Sequence, residues 1–165
     1  MIDKEVLETA ARLIEMLRAL KFTIVTAESC TGGLIAAALT EIPGSSDVVD
    51  RGFVTYSNAA KESVLGVPSE ILRRHGAVSE QTARAMAEGA LKASPCDVSV
   101  AVTGIAGPGG GSAEKPVGLV HFGAARRGGP VLHREARFGD LGRAQIRRRS
   151  VLAAFALVND LLATG

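Results

Sequence analysis

Segments with the two-residue period of a β-strand alternate along this chain with segments that have the three- to four-residue period of a helix. The strand-like segments cover residues 22–27, 48–56, 97–103, 117–125 and 131–138. The helix-like segments cover residues 3–20, 31–41, 57–66, 79–94 and 142–163. Such alternation is typical of domains in which helices cover both faces of a sheet. We therefore predict a single three-layer α/β/α domain, residues 1–165, with a mixed, mostly parallel sheet of about five strands that ends in a hairpin.

The composition indicates a folded protein without a disulfide framework. Of the 165 residues, 47% are hydrophobic and 22% are charged, which is enough apolar material for a core. Two cysteines in a chain of this length favour a reducing compartment. The N-terminal segment carries charges throughout its apolar stretch, unlike a signal peptide, and the apolar block near it is far shorter than a membrane span. We expect a cytoplasmic protein that has no contact with a membrane.

Three polar side chains follow the three strands that are predicted to be parallel. Ser29, Tyr56 and Thr103 each lie at the carboxyl end of one of these strands, or just beyond it. The carboxyl ends of parallel strands meet at one edge of a sheet, and ligands of open α/β sheets bind outside that edge. These three residues, far apart in sequence, are therefore predicted to converge at a binding site.

The stretch TAESCTGG joins the first strand to the following helix through a sharp turn. Ser29 at such a turn could expose an attacking oxygen, and the backbone N–H groups of Cys30, Thr31 and Gly32 could bind an oxyanion. The stretch lacks the G-x-S-x-G pattern, and no histidine is placed to act as a base. Ser29 could equally be the cap of the helix over residues 31–41.

Two cations are predicted in the first turns of helices, where the positive end of the helix dipole disfavours them. Lys61 follows a predicted cap at Ser57 or Asn58, and Arg143 begins the last helix. A residue that is unfavourable at its position in a helix, as these two cations are, is expected more often at a functional site. Such a position would lower the pKa of a lysine, and a neutral lysine can act as a general base. From position alone, however, Lys61 could also be an ordinary surface lysine with its ammonium in water.

Other short motifs are weaker candidates. The glycine-rich segment 104–116 matches no nucleotide-binding pattern, but it is long enough for a ligand-binding loop. SAEK at residues 112–115 resembles a serine–lysine motif, yet a following proline denies it the helical turn that this motif needs. A thiol nucleophile at Cys30 is conceivable, although a small buried residue fits better. The three histidines have no metal-ligand spacing, so neither a metal site nor a cofactor is predicted.

Positive charge is concentrated near the C-terminus. Residues 115–149 contain nine basic and two acidic residues, a net charge of +7, whereas the remainder has a net charge of −5. This asymmetry suggests an anionic partner, such as a phosphate ester or a nucleic acid, and is equally consistent with a solvated basic surface. Nucleic-acid binding through Arg147–Arg149 is disfavoured, because no aromatic residues are interleaved with these arginines.

Four ordered blocks of sequence carry a family resemblance that spans nearly the whole chain. They are AESCTGG, GFVTYSNAAKESVLGV, GAVSEQTARAMAEGA and VAVTGIAGPGGGSAEKPVGLV. Together they resemble the CinA C-terminal domain family, which includes stand-alone nicotinamide mononucleotide deamidases. Larger CinA proteins carry a further N-terminal pyrophosphatase domain that has no counterpart in these 165 residues, so the resemblance is to the free-standing enzymes.

The resemblance implies hydrolysis of nicotinamide mononucleotide to nicotinic acid mononucleotide and ammonia by a metal-free serine–lysine mechanism. It assigns catalytic roles to Ser29, Lys61 and Tyr56, with Tyr56 orienting or relaying a proton. The substrate is expected to contact the residues Cys30, Thr31, Gly32, Thr103, Gly104 and Arg143, the last of these through its phosphate. We expect a homodimer. A non-catalytic ligand- or partner-binding domain connected with competence or DNA damage is the alternative.

Overall fold

The computed structural model describes residues 2–165, in which six helices and five strands alternate much as the periodicity predicts. The helices are α1 (Lys4–Leu20), α2 (Leu34–Thr40), α3 (Asn58–Leu65), α4 (Ser69–His75), α5 (Glu80–Lys92) and α6 (Arg143–Ala163). The strands are β1 (Ile24–Glu28), β2 (Val49–Val54), β3 (Val98–Gly104), β4 (Leu119–Arg126) and β5 (Val131–Arg137). A short 3₁₀ helix, Ser45–Asp47, precedes β2.

The five strands form one mixed sheet in the order β2-β1-β3-β4-β5. The pairs β1–β2 and β1–β3 are parallel, and the pairs β3–β4 and β4–β5 are antiparallel. The carboxyl ends of β1, β2 and β3 consequently lie side by side at one edge of the sheet. The predicted three-layer class and the terminal hairpin are confirmed.

Helices cover both faces of the sheet, and each face has its own hydrophobic core. On one face α1, α2 and α6 pack on side chains such as Ile24, Val100 and Phe122. On the other face α3, α4 and α5 pack on the alternate residues of the same strands, including Val25 and Ala101. The alternation of side chains along a strand explains why consecutive residues of β1 enter opposite cores.

Two differences from the predicted elements have local causes. The helix α4 was not predicted, because its seven residues lie between Pro68 and Gly76 and bury only Leu72, which leaves no periodic pattern to detect. The helix α2 begins three residues later than predicted. Gly32 and Gly33 have left-handed backbone conformations, with φ of +58° and +99°, so the chain cannot become helical before Leu34.

Candidate active site

Ser29 lies immediately after β1, in the turn that connects β1 to α2. Its N–H donates to the carbonyl of Val102 on the neighbouring strand, which extends the sheet by one residue. The Ser29 side chain is buried, with 8% exposure, and it does not cap α2. The interpretation of Ser29 as a helix cap is therefore wrong, and its hydroxyl is available for another role.

A buried carboxylate, Glu28, caps α2 instead. Its two carboxylate oxygens accept hydrogen bonds from the N–H groups of Ile35 and Ala36, at 2.8 and 3.0 Å, and Glu28 is fully buried. The N–H groups of Leu34 and Ala37 donate to backbone carbonyls of the preceding turn. The N-terminus of α2 already holds an anion, and the N–H groups of residues 34–37 all have acceptors within the domain. Sequence reasoning missed Glu28, because this cap comes from the strand rather than from the residue before the helix.

Lys61 projects from the first turn of α3 into the interior. Ser57 caps this helix by accepting from the N–H of Ala60, as predicted. The Lys61 side chain points back towards the N-terminus of the helix, the usual direction for helical side chains. Lys61 is only 1% exposed, so the interpretation as a surface lysine is wrong.

The Lys61 amine meets the Ser29 hydroxyl at the carboxyl edge of the sheet. Nζ lies 3.0 Å from Ser29 Oγ, 2.9 Å from the carbonyl oxygen of Thr55 and 3.4 Å from that of Tyr56. All three partners are uncharged. Burial lowers the pKa of Lys61 below its ordinary value, because removing an ammonium from water disfavours the charged form.

The backbone carbonyl of Tyr56 contacts Lys61, whereas the Tyr56 side chain is directed to Arg143. The side chain is 59% exposed, and its hydroxyl accepts a hydrogen bond from Arg143 Nη2 at 2.8 Å. Arg143 also donates from Nη1 to the carbonyl of Gly107, at 2.8 Å. Because the hydroxyl of Tyr56 bonds Arg143 rather than Ser29 or Lys61, the proton relay expected for Tyr56 is not supported by this geometry.

A cavity of about 260 Å³ opens beside the Ser29–Lys61 pair. Its lining comes from the ends of β1 and β3, the start of α3, the connection between α4 and α5, the glycine-rich loop and the start of α6. The lining residues are Ser29, Cys30, Tyr56, Lys61, Ala77, Val78, residues 103–107, Gly109, Gly110 and Arg143. The structure thus brings together most of the residues that the sequence singled out, from four separate segments of the chain. Two predicted substrate contacts, Thr31 and Gly32, do not line the cavity.

Some of the residues predicted to contact the substrate already have hydrogen-bond partners within the protein, and others do not. Thr103 and Gly104 both line the cavity, but the hydroxyl of Thr103 donates to the carbonyl of Ala77 at 2.7 Å and can therefore only accept a hydrogen bond from a substrate. The N–H of Gly32 donates to the carbonyl of Ser29, so the oxyanion donor expected there already has a partner. Across residues 2–165, no backbone carbonyl accepts from the N–H groups of Cys30 or Thr31. These two groups remain candidates for binding an oxyanion.

Cys30 is not set up as a nucleophile. Its side chain is buried, and burial raises the pKa of its thiol to about 12. The thiol is therefore protonated at neutral pH, which makes Ser29 the better candidate of the two adjacent residues.

A larger cavity, about 620 Å³, lies between α3, α4 and α5 and is lined by residues such as Val64, Ile71 and Gln81. Ser63, Glu88 and Lys92 line this larger cavity, but no hydrogen bond joins Ser63 to either of the other two within residues 2–165. The bonded pair of Ser29 and Lys61 lies at the smaller cavity, where we place the candidate active site. No cluster of three histidine, cysteine, aspartate or glutamate residues suited to a metal ion occurs in the described part of the chain. His121 and His133 do approach each other, with Nδ1 of one 2.9 Å from Nε2 of the other, a pair that their separation in sequence does not suggest.

The three consecutive arginines of α6 have different surroundings. Arg147 donates to the carbonyl of Thr31 beside the candidate active site. Arg148 pairs with Asp3 and Glu5 at the start of α1, and Arg149 is exposed. Two of the three cations are therefore engaged within the domain. None of the helices described is long and apolar enough to cross a membrane.

Comparison with known proteins assigns a family. The model of the CinA C-terminal domain matches residues 6–162. The chain belongs to the CinA C-terminal domain family. Among solved structures, the competence/damage inducible protein CihA from Agrobacterium tumefaciens is 57% identical, with a TM-score of 0.95 and 98% of each chain covered. A CinA superfamily protein from Escherichia coli superposes with a TM-score of 0.90 at 34% identity, covering 94% of this chain and 90% of that one.

Curated relatives of this family fall into two groups by length. The nicotinamide-nucleotide amidohydrolase PncC of Escherichia coli strain K12 is 49% identical over 158 residues, which are 95% of this chain and 93% of that protein. A relative from Caldicellulosiruptor bescii, whose name refers to competence damage, is 56% identical over 126 residues, which are 76% of this chain. The chain matches only 30% of the length of that relative.

Proposed function

We propose that residues 1–165 act as one amidohydrolase domain that converts nicotinamide mononucleotide to nicotinic acid mononucleotide and ammonia. Ser29 is the nucleophile and Lys61 is its general base. Similarity to the enzymes named PncC over nearly their full length supports the substrate. One structural observation carries the mechanism: the buried amine of Lys61 is 3.0 Å from the hydroxyl of Ser29.

The partners of Lys61 favour the direction of proton transfer that this role requires. A neutral amine has two N–H donors and one lone pair, and the carbonyls of Thr55 and Tyr56 can only accept hydrogen bonds. Ser29 is the one partner of Nζ that can donate a proton. With both carbonyls accepting, the lone pair of a neutral Lys61 faces the Ser29 hydroxyl, which is the arrangement of a general base with its nucleophile.

The reaction then proceeds through an ester. Lys61 Nζ removes the proton of Ser29 Oγ while Oγ bonds to the carboxamide carbon. The resulting oxyanion accepts hydrogen bonds from the free N–H groups of Cys30 and Thr31. The bond from carbon to the amide nitrogen breaks, and the nitrogen leaves as ammonia with the proton from Lys61. Water, deprotonated by the same amine, adds to the ester and releases the carboxylic acid. The positive pyridinium ring of the substrate further favours a neutral Lys61.

The 5′-phosphate is assigned to the start of α6. Arg143 is the first residue of this helix of 21 residues, so its guanidinium and the N-terminus of the helix reach the mouth of the cavity together. At about 260 Å³ the cavity is slightly smaller than typical ligand pockets, which suits the pyridine ring and ribose with the phosphate at the entrance.

The proposed base predicts a rate that increases with pH. Only neutral Lys61 can accept the proton, and the neutral fraction increases as the pH rises through its pKa. Because burial lowers this pKa, we expect kcat/KM to increase with a midpoint below the ordinary lysine value of 10.5. The profile should be measured with nicotinamide riboside as well, which has no phosphate to titrate. A rate that is flat or falls with pH for both substrates would remove Lys61 as the base.

Replacing Arg143 with alanine should weaken the use of the nucleotide far more than the use of nicotinamide riboside. Loss of a charge-assisted contact to phosphate is expected to cost about 1.5–3 kcal/mol, or on the order of tenfold or more in kcat/KM. Tyr56→Phe is the matched control, since it removes the hydroxyl that bonds Arg143 and keeps the guanidinium. An equal loss with both substrates in Arg143→Ala would mean that Arg143 acts on the amide or on folding instead.

The function itself is tested by measuring ammonia release from nicotinamide mononucleotide, NAD and nicotinamide. Steady release from the mononucleotide is the expected result. No release from any of the three would favour the alternative of a non-catalytic binding domain, and salt-dependent binding of DNA would favour a nucleic-acid partner.

A further inference from the structure

Arg147 occupies an unusual position for a charged residue. It lies on α6, one turn after Arg143, and its side chain is partly buried against the turn that follows Ser29. Nη2 donates to the carbonyl of Thr31 at 3.0 Å. The buried Nε has no hydrogen-bond partner within residues 2–165. The contact with Thr31 is therefore the one hydrogen bond that the Arg147 side chain makes within residues 2–165.

The contact of Arg147 completes a clamp on a single peptide group. The carbonyl of Thr31 accepts from Arg147 and from the N–H of Leu34, and the N–H of Gly32 in the same peptide donates to the carbonyl of Ser29. Gly32 has the left-handed conformation that this geometry requires. Both ends of the Thr31–Gly32 peptide are therefore held.

The other side of the turn is held by Glu28. Its carboxylate binds the N–H groups of Ile35 and Ala36 and so fixes where α2 begins. With the turn anchored at both sides, the two preceding N–H groups, those of Cys30 and Thr31, are left as the free donors beside Ser29. These two N–H groups belong to the two peptide groups just before the clamped one, so a shift of the clamped peptide reaches them through the Cα of Thr31 and changes their direction.

We infer that Arg147 is a positioning residue, which holds the carbonyl of Thr31 so that the N–H groups of Cys30 and Thr31 face the oxyanion. This inference rests on the proposed deamidation. Arg147 does not line the cavity, so its removal should leave substrate binding largely intact and impair the chemical step. An error of about 1 Å in the placement of catalytic groups can lower a rate about 10²-fold.

The test compares Arg147→Met and Arg147→Lys with Arg148→Met as the matched control. Arg148 is the next residue on α6 and pairs with Asp3 and Glu5, away from the site. For Arg147→Met we expect kcat for ammonia release to fall about 10²-fold while KM changes less than about threefold. The kcat of Arg147→Lys should be about tenfold higher than that of Arg147→Met, because the lysine ammonium can still donate to the Thr31 carbonyl. Arg148→Met should retain the kcat of the unmodified protein.

A second measurement does not depend on activity. In ¹⁵N-labelled protein without substrate, the backbone amide resonances of Cys30, Thr31 and Gly32 should shift in Arg147→Met, move back in Arg147→Lys and stay unchanged in Arg148→Met. The inference is overturned if Arg147→Met leaves these resonances unmoved, leaves kcat unchanged or increases only KM. It is also overturned if Arg148→Met lowers kcat as much as Arg147→Met does. If Arg147→Met does not fold, Arg147→Lys is the test: smaller shifts of the same resonances and a lowered kcat would support the inference, and the absence of both would overturn it. Absence of ammonia release by the unmodified protein would instead refute the proposed function, and the resonances would still decide whether Arg147 positions the turn.

Discussion

Ser29→Ala is expected to lower the rate of ammonia release from nicotinamide mononucleotide by about 10⁴-fold or more, with little change in substrate affinity. The substitution removes the attacking oxygen and leaves the rest of the cavity lining in place. Affinity can be measured by calorimetry with the mononucleotide, because the inactive variant will not consume it. The Lys61 amine would keep its two carbonyl partners, those of Thr55 and Tyr56.

Cys30→Ala is the control for this experiment. The pKa of its thiol, about 12, keeps Cys30 protonated, so we expect its removal to have a small effect on the rate. If the rate of ammonia release by Ser29→Ala is within about tenfold of the rate of the unmodified protein, covalent catalysis by Ser29 is refuted, because removal of a nucleophile lowers the rate far more. If Cys30→Ala remains folded but is inactive, Cys30 rather than Ser29 would be the nucleophile.

Lys61→Arg is expected to be nearly as inactive as Lys61→Ala, with ammonia release lowered about 10³-fold in both. Arginine keeps the positive charge but does not lose its proton in a protein, so it cannot accept the proton of Ser29. If Lys61 acted only by its charge, the arginine variant would retain much of the activity. The two variants should be compared by kcat for ammonia release, together with their thermal unfolding.

Rescue by added amines separates the loss of a base from the loss of folding. A small primary amine should restore part of the rate of Lys61→Ala, and the restored rate should increase with the concentration of the unprotonated amine. A well-folded Lys61→Arg variant with a rate close to that of the unmodified protein would contradict the general-base role.

The structure has Ser29 just after a strand and Lys61 in the first turn of a helix, the positions that local signals in the sequence predict. A strand end and a helix start can be located from periodicity and capping, and parallel strands share an edge. The structure adds the distance between the two side chains, 3.0 Å, and the burial of Lys61, which no local pattern contains. The family resemblance supplied the pairing of their roles.

Some contacts at the site act across the fold and cannot be predicted from local sequence. Glu28 caps a helix that begins six residues later, and Arg147 reaches a turn that lies more than 100 residues earlier in the chain. Both appear in sequence as ordinary charged residues, one at the end of a strand and one in a basic run. Gly32 was assigned to substrate, but its N–H donates to Ser29, a bond that depends on the left-handed turn. Tyr56 was placed at the right edge of the sheet, whereas the direction of its hydroxyl depends on Arg143.

Partitioning of the reaction with hydroxylamine tests covalent deamidation most directly. The protein is incubated with nicotinamide mononucleotide and hydroxylamine, and ammonia, nicotinic acid mononucleotide and the corresponding hydroxamate are measured together, with Ser29→Ala as the blank. An ester at Ser29 can be attacked by hydroxylamine as well as by water. We therefore predict ammonia release accompanied by a hydroxamate whose share increases with the hydroxylamine concentration. Ammonia with the acid as the sole product at every concentration would contradict an acyl-enzyme at Ser29, and no ammonia at all would contradict deamidation.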